Sequence, residues 1–297
     1  MLKVIGSILA ISASFFFGLR NVLVRKSTST GDVMEATIIT LAADVSIFLP
    51  TALFLEYPHF EITSVSLIAF ISAGLIGPFI GLIFLYEGTK RVGASRTTPI
   101  SRGSTLVSAL IGIILLGEVA STIHIVGIVT LLIGIAVISY EIESEDPDSK
   151  TSNRFTTDLI YPLSAMTFFG IMYPLMKLGY SNGTSVPVGI TITFSTSLIA
   201  MTLFYLVTGR SLLAPFRAKE KKIYLATGYT HSIAILLFNF SLFISPVVIT
   251  VPFRSMSPIT VLILSYFFLK KLEKITTKII IGTLLAVLGG VLIGIFM

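Results

Sequence analysis

Apolar positions along the chain gather into long hydrophobic runs separated by short polar joints. A helix needs about 20 mostly apolar residues to cross the hydrocarbon core of a bilayer. Ten runs have that length, at residues 3–24, 35–55, 64–88, 93–116, 121–140, 156–177, 187–208, 223–244, 247–269 and 276–296. They are continuous, not segments of about ten residues with alternating polarity, which predicts helices and excludes barrel strands. The expected fold class is all-α integral membrane, with ten transmembrane helices. Tyr57, Tyr140, Tyr161, Tyr180, Tyr224 and Tyr266 fall near run ends, where interfacial aromatic anchors belong.

The pattern also repeats. Ser12-Ala13-Ser14-Phe15-Phe16-Phe17-Gly18 returns as Ser164-Ala165-Met166-Thr167-Phe168-Phe169-Gly170 at an offset of 152, which also pairs Arg102 with Arg254 and Thr98 with Thr250. Further on, an offset of 155 pairs Glu118 with Glu273, Gly127 with Gly282 and Gly134 with Gly289. This divides the chain into a five-helix repeat over 1–140, a polar linker over 141–155 and a second five-helix repeat over 156–297. Five is odd, so the second copy enters the membrane in the opposite sense, as an inverted repeat about an in-plane pseudo-twofold axis. Lys3 followed by an apolar run is reminiscent of a secretory leader, but a segment duplicated deep in the chain argues against a removable one.

Composition narrows the chemistry. The chain is 54% hydrophobic and 12% charged, against about 25% charged in an ordinary soluble domain. Its net charge of +6 sits in the joints and not in stripes, so no nucleic-acid partner is expected; the basic excess suits anionic lipid headgroups. There is no Cys, and His59, His124 and His231 are scattered, so no metal site is expected. No paired-Asp motif, His-Glu-x-x-His, Ser with a His partner or P-loop occurs, so the reading is not an enzyme, with no cofactor and no nucleotide-driven pump. Joints after odd-numbered runs hold most of the Lys and Arg, among them Arg25, Lys90, Arg91, Arg210, Lys270 and Lys274. The positive-inside rule makes those joints cytoplasmic in a multi-pass protein of the cell membrane, with both termini outside.

On these motifs the sequence resembles the drug/metabolite transporter superfamily, EamA-type. The resemblance is carried by the two Phe-Phe-Gly segments, the passage Tyr86-Glu87-Gly88-Thr89-Lys90-Arg91-Val92-Gly93-Ala94-Ser95, and Leu116-Gly117-Glu118 with its echo Leu272-Glu273. It covers nearly the whole chain and implies ten helices in two inverted halves around a central path for small metabolites. Three features depart from it. Phe17 stands where the family usually has Trp, Gly103 replaces a usual proline although Pro258 occupies the matching place in the second half, and the family commonly keeps both termini in the cytoplasm.

Charged groups at the centre of a membrane helix cost about 2.5–3.5 kcal/mol on insertion scales, so they face a bundle interior or a wet cavity. Arg102 and Arg254 lie roughly 10–14 Å along their spans at 1.5 Å per residue, entering from opposite faces of a core about 30 Å thick. Two guanidiniums meeting there suit an anionic substrate such as a carboxylate. Alternatively each caps carbonyls near a proline break, or pairs with Asp44 or Glu87. Asp44 is read as a counter-ion or a coupling carboxylate, and Glu87 likewise.

Asn21, Tyr173, His231 and Asn239 are further candidates for lining the path, His231 having interhelical hydrogen bonding as its competing role. Runs 5 and 10, rich in glycine at helical spacing, read as scaffold or as a homodimer face. Glu118 and Glu273 are expected in membrane-surface hydrogen bonding or assembly. The function expected is secondary-active transport of small organic metabolites, amino acids or other carboxylate solutes, by alternating access through a central cavity. The partners are then that solute and membrane lipids. A channel or lipid scramblase with a continuously open pathway is the alternative.

Overall fold

The computed structural model describes residues 2–116, 122–144, 152–244 and 255–295, and among them helices joined by turns and short loops occur and no strand. The elements are α1 (Leu2–Thr28), α2 (Val33–Glu56), α3 (Ser64–Gly74), a π-helical segment (Leu75–Gly81), α4 (Leu82–Val92), α5 (Ala94–Arg102) and α6 (Ser104–Leu116). After these come α7 (Thr122–Ser144), α8 (Ser152–Ser181), α9 (Val186–Val207), the short α10 (Ala214–Arg217), α11 (Lys221–Ile244), α12 (Ser257–Phe268) and α13 (Thr277–Ile295). Among the described residues seven helices are long and apolar enough to cross a membrane, α3 to α4 counting as one, and α12 and α13 are shorter apolar helices. Arg254, Thr250 and Glu118 lie outside the described residues, as do residues 145–151 of the expected 141–155 linker, whose two ends are helical continuations of α7 and α8.

Two expected straight spans are interrupted, each for a local reason. The run over 93–116 is two helices, because the Gly103 N–H turns back to the Ile100 carbonyl at 2.9 Å and residue 103 sits at ψ −7. A side chain at 103 has no room, since a Cβ there would lie 2.5 Å from the Met166 sulfur. Met256, ahead of α12, has the same ψ of about −5 and accepts the Ile259 N–H at 2.9 Å. The turn that leads into α12 at Met256 thus resembles the one that leads into α6 at Gly103, one residue beyond the register that pairs Arg102 with Arg254. Between α3 and α4, Pro78 has no N–H to donate, and the Leu82 N–H reaches five residues back to Gly77.

Helix packing is reciprocal. α1 lies against α11 and α12, while α8 lies against α3, α4 and α6; α2 meets α9 and α11, while α9 meets α2 and α3. Exchanging the halves converts each of these pairings into another, except α2 with α9, which maps onto itself. Small residues make the approaches close, as in membrane bundles without a hydrophobic driving force. A Cβ on Gly18 would fall 2.6 Å from Thr260, and one on the matching Gly170 would fall 2.3 Å from Val107. Gly127 meets Gly289 and Gly134 meets Gly282, so α7 and α13 cross antiparallel within the chain. The glycine faces expected to serve as scaffold or dimer surface are therefore occupied internally.

Ile125, Val129 and Ile133 on α7, Ile199, Leu203 and Leu206 on α9, and Leu284 and Leu288 on α13 are exposed. Apolar surface of that extent suits acyl chains and not water. Tyr57, Tyr140 and Tyr266 are exposed as anchors should be, but Tyr224 is fully buried. Its hydroxyl accepts the Asp32 N–H at 2.9 Å at the start of α2, a helix already capped by the Asp32 carboxylate. That is a tertiary contact the run-end position did not reveal.

Candidate functional site

Where the π-helical segment and the break at Gly103 widen the bundle, a cavity of about 90 Å³ opens between the halves. That is room for roughly six to nine waters at the 10–15 Å³ each requires. α1 contributes Phe17, Arg20 and Asn21, spaced so that they share one helix face. α8 supplies Phe169, Met172 and Tyr173 with the same spacing, and α11 supplies His231 and Ile235, one turn apart. Arg102, the last residue of α5, reaches the same space with Ser101 and Ser104, and Pro78, Leu82, Leu85 and Phe194 complete the lining.

Arg20 is buried and held in place. Its Nε and Nη2 donate to Asn21 Oδ1 at 3.0 and 2.6 Å, and Asn21 Nδ2 donates to Thr98 Oγ1 at 2.9 Å. Thr98 Oγ1 in turn donates to the Ala94 carbonyl at 2.7 Å. Phe17 accepts both cations on its ring: the Arg20 guanidinium carbon is 5.9 Å from the ring centre and that of Arg102 is 5.5 Å. Each contact has cation–π geometry, which gains strength where water is excluded. The Phe that replaces the family's usual Trp thus holds two positive groups.

His231 faces the cavity from the other half. Its Nδ1 lies 2.9 Å from Asp44 Oδ2, and Ser232 Oγ donates to Asp44 Oδ1 at 2.7 Å. His231 and Asp44 are thus hydrogen-bonded across 187 residues of sequence. Phe17 and Phe194 pack edge-on against the imidazole, 6.3 and 5.9 Å away between ring centres. Asp44 itself is fully buried and stands behind His231, not among the residues facing the cavity.

Of the residues singled out in the sequence, Asn21, Arg102, Tyr173 and His231 come together around this one space. Asn239 does not face it; its amide donates to the Ile235 carbonyl of its own helix at 2.8 Å. Glu87 is also elsewhere, 3.2 Å from Arg91, which further pairs with Asp158 at 3.0 Å and stacks over Tyr161. Asp44 has His231 as its ionisable partner among the described contacts, not an arginine as the counter-ion reading expected. Arg254, the expected partner of Arg102, lies outside the described residues.

Arg20 was missed by sequence reasoning. A span ending at residue 24 puts it in the last turn, near the interface, whereas α1 runs to Thr28 with Ser27 and Thr28 hydroxyls folded back on Val24. The extra turn draws Arg20 inward. Its spacing from Phe17 and Asn21 was the available signal.

Three sets of contacts follow one another on the Asn21 side of the cavity. Nearest the cavity is the Asn21–Thr98 bond, followed by an apolar cluster of Val22, Ala94, Val261 and Leu269. Beyond it the Glu273 carboxylate, with no exposed surface, accepts the Ala94 and Ser95 N–H groups at 2.5 and 3.1 Å and lies 3.4 Å from Arg25 Nε. Arg25 also donates to the carbonyls of Lys90 and Leu272.

Compared with known proteins, residues 4–140 and 157–295 each match the model of the EamA-like transporter family. A solved structure described only as "Crystal structure of protein" is similar in fold, with a TM-score of 0.63 at 14% identity, covering 98% of this chain and 95% of that one. No curated protein sequence matches.

Proposed function

The chain belongs to the EamA-like transporter family, membrane transporters of small solutes, and we propose that it is a secondary-active carrier of small organic anions working by alternating access. The observation that carries this reading is one mid-bundle cavity walled by both halves, with Arg20 and Arg102 from the first and Tyr173 and His231 from the second. Two inverted five-helix units, ten spans in all, are supported by the reciprocal helix pairings, the similar turns at Gly103 and Met256 that lead into α6 and α12, and the antiparallel glycine crossing of α7 and α13. Rocking such halves exposes a fixed central site to each side in turn. The three sets of contacts between Asn21 and Glu273 form the closed end. By the distribution of basic joints that end faces the cytoplasm.

The test is solute counterflow in proteoliposomes, with the solute chosen as the one that most raises the melting temperature of the detergent-solubilised protein in a metabolite screen. A carrier gives saturable flux with counterflow, lost in Arg102→Ala. Flux that rises linearly with concentration and shows no counterflow identifies an open channel or scramblase instead.

A further inference from the structure

The cavity lining is of two chemical kinds. Arg20, Asn21, Arg102 and His231 supply donors, whereas Leu82, Leu85, Met172 and Ile235 supply apolar surface. Among the described residues that line it none is an acid. The buried carboxylate of the region, Asp44, is held by His231 and Ser232 and set behind the imidazole. Two guanidiniums sharing the Phe17 ring make the space electropositive. A carboxylate gains charge-assisted hydrogen bonds there. An ammonium gains no counter-charge and loses its hydration, a penalty of several kcal/mol per buried ion.

Resting on the carrier reading above, we propose that the solute is a small apolar monocarboxylate without an amino group, such as a branched 2-oxo or short-chain acid, and that Arg20 is its carboxylate anchor. Asn21 and Thr98 are the positioning residues that hold the guanidinium, and the apolar lining receives the hydrocarbon tail. The chemistry that supplies or consumes such a solute is amino-group removal from, or addition to, a branched carbon skeleton, and the amino acid itself is rejected.

An isosteric series tests this in the wild-type protein: 4-methylpentanoate, 4-methyl-2-oxopentanoate, leucine and 3-methylbutylamine share a branched skeleton and differ in charge. Expected is a rise in melting temperature and saturable counterflow with the two acids, and neither with leucine or the amine. In Arg20→Gln, checked for an unchanged size-exclusion profile, the acids bind at least about tenfold more weakly, the scale of one lost charged hydrogen bond. Leucine or the amine acting as strongly as the acids overturns the proposal, as does folded Arg20→Gln responding like wild type. Saturable counterflow of the amine alone defeats this inference and leaves the carrier intact, whereas linear flux of every compound defeats the carrier reading.

Discussion

Glu273 and Ala94 are joined by a hydrogen bond of 2.5 Å from the backbone N–H of one to the buried carboxylate of the other, across 179 residues of sequence. The first N–H groups of a helix lack internal partners, and a carboxylate there also meets the positive end of the helix dipole. Glu273 thereby ties the start of α5 to the joint after α12, while Arg25 of α1 closes the same knot. Gly93 precedes the cap at φ +97, and a Cβ there would come within 3.0 Å of the Glu273 carboxyl.

Replacing Glu273 with Ala leaves two helix N–H groups without their acceptor and a mostly buried Arg25 without its counter-charge, although its bonds to the Lys90 and Leu272 carbonyls remain. Breaking a buried ion pair from one side costs about 3–5 kcal/mol, so the melting temperature in detergent falls clearly. The same change loosens the closed end of the cavity. Because the chain has no Cys, a single cysteine at Ser101 reports this directly. Its labelling by a membrane-impermeant maleimide from the Lys90 side should speed up several-fold in Glu273→Ala. Equal labelling rates would mean that the knot is a fastening and not a gate.

Gly18 and Gly170 occupy matching places in the two halves, each admitting a helix of the other half to near contact. Alanine at either gains about 1 kcal/mol of helix propensity but forces a methyl against Thr260 or Val107 at 2.6 or 2.3 Å. Overpacking of that kind costs about 1–3 kcal/mol and prevails. Gly18→Ala and Gly170→Ala should both lower the melting temperature, by similar amounts. A stabilised variant would show that the crossing is loose enough to admit a methyl.

The large features of the fold were legible because lipid imposes simple rules: long apolar runs must be helices, and a duplicated motif must recur in a similar setting. Asn21, Arg102, Tyr173 and His231 stood out as polar residues inside apolar runs, and they share one cavity. Arg20 was hidden by an error of one turn at the end of α1, since hydropathy averages over the boundary and charged residues there are read as interfacial. The pairing of Asp44 with His231 and Ser232 joins residues nearly two hundred positions apart, which no periodicity encodes. The close approach of Met166, on another helix, to Gly103 is also invisible from local sequence.

Glu87 provides a control for location. It is paired with Arg91 four residues along the same helix, and its side chain is a quarter exposed. Exposed ion pairs of this kind contribute at most about 1 kcal/mol. Glu87→Gln should therefore leave both melting temperature and counterflow close to wild type. A loss of transport without a loss of stability would restore Glu87 as a coupling residue.

Asp44→Asn separates orientation from coupling. The carboxylate is fully buried, accepts from Ser232 and fixes the His231 ring against Phe17 and Phe194. An amide keeps an acceptor for one partner but loses it for the other, and leaving a buried polar group unsatisfied costs about 1–3 kcal/mol. If Asp44 acts by holding the imidazole, Asp44→Asn reduces uptake by a similar factor at every pH, and His231→Asn gives much the same loss. The measurement is initial uptake of 4-methyl-2-oxopentanoate into proteoliposomes from pH 5 to 8, with and without an imposed proton gradient. A variant whose stimulation by the gradient disappears, while gradient-free exchange survives, would identify Asp44 as the proton-coupling carboxylate and reduce His231 to its partner in that step.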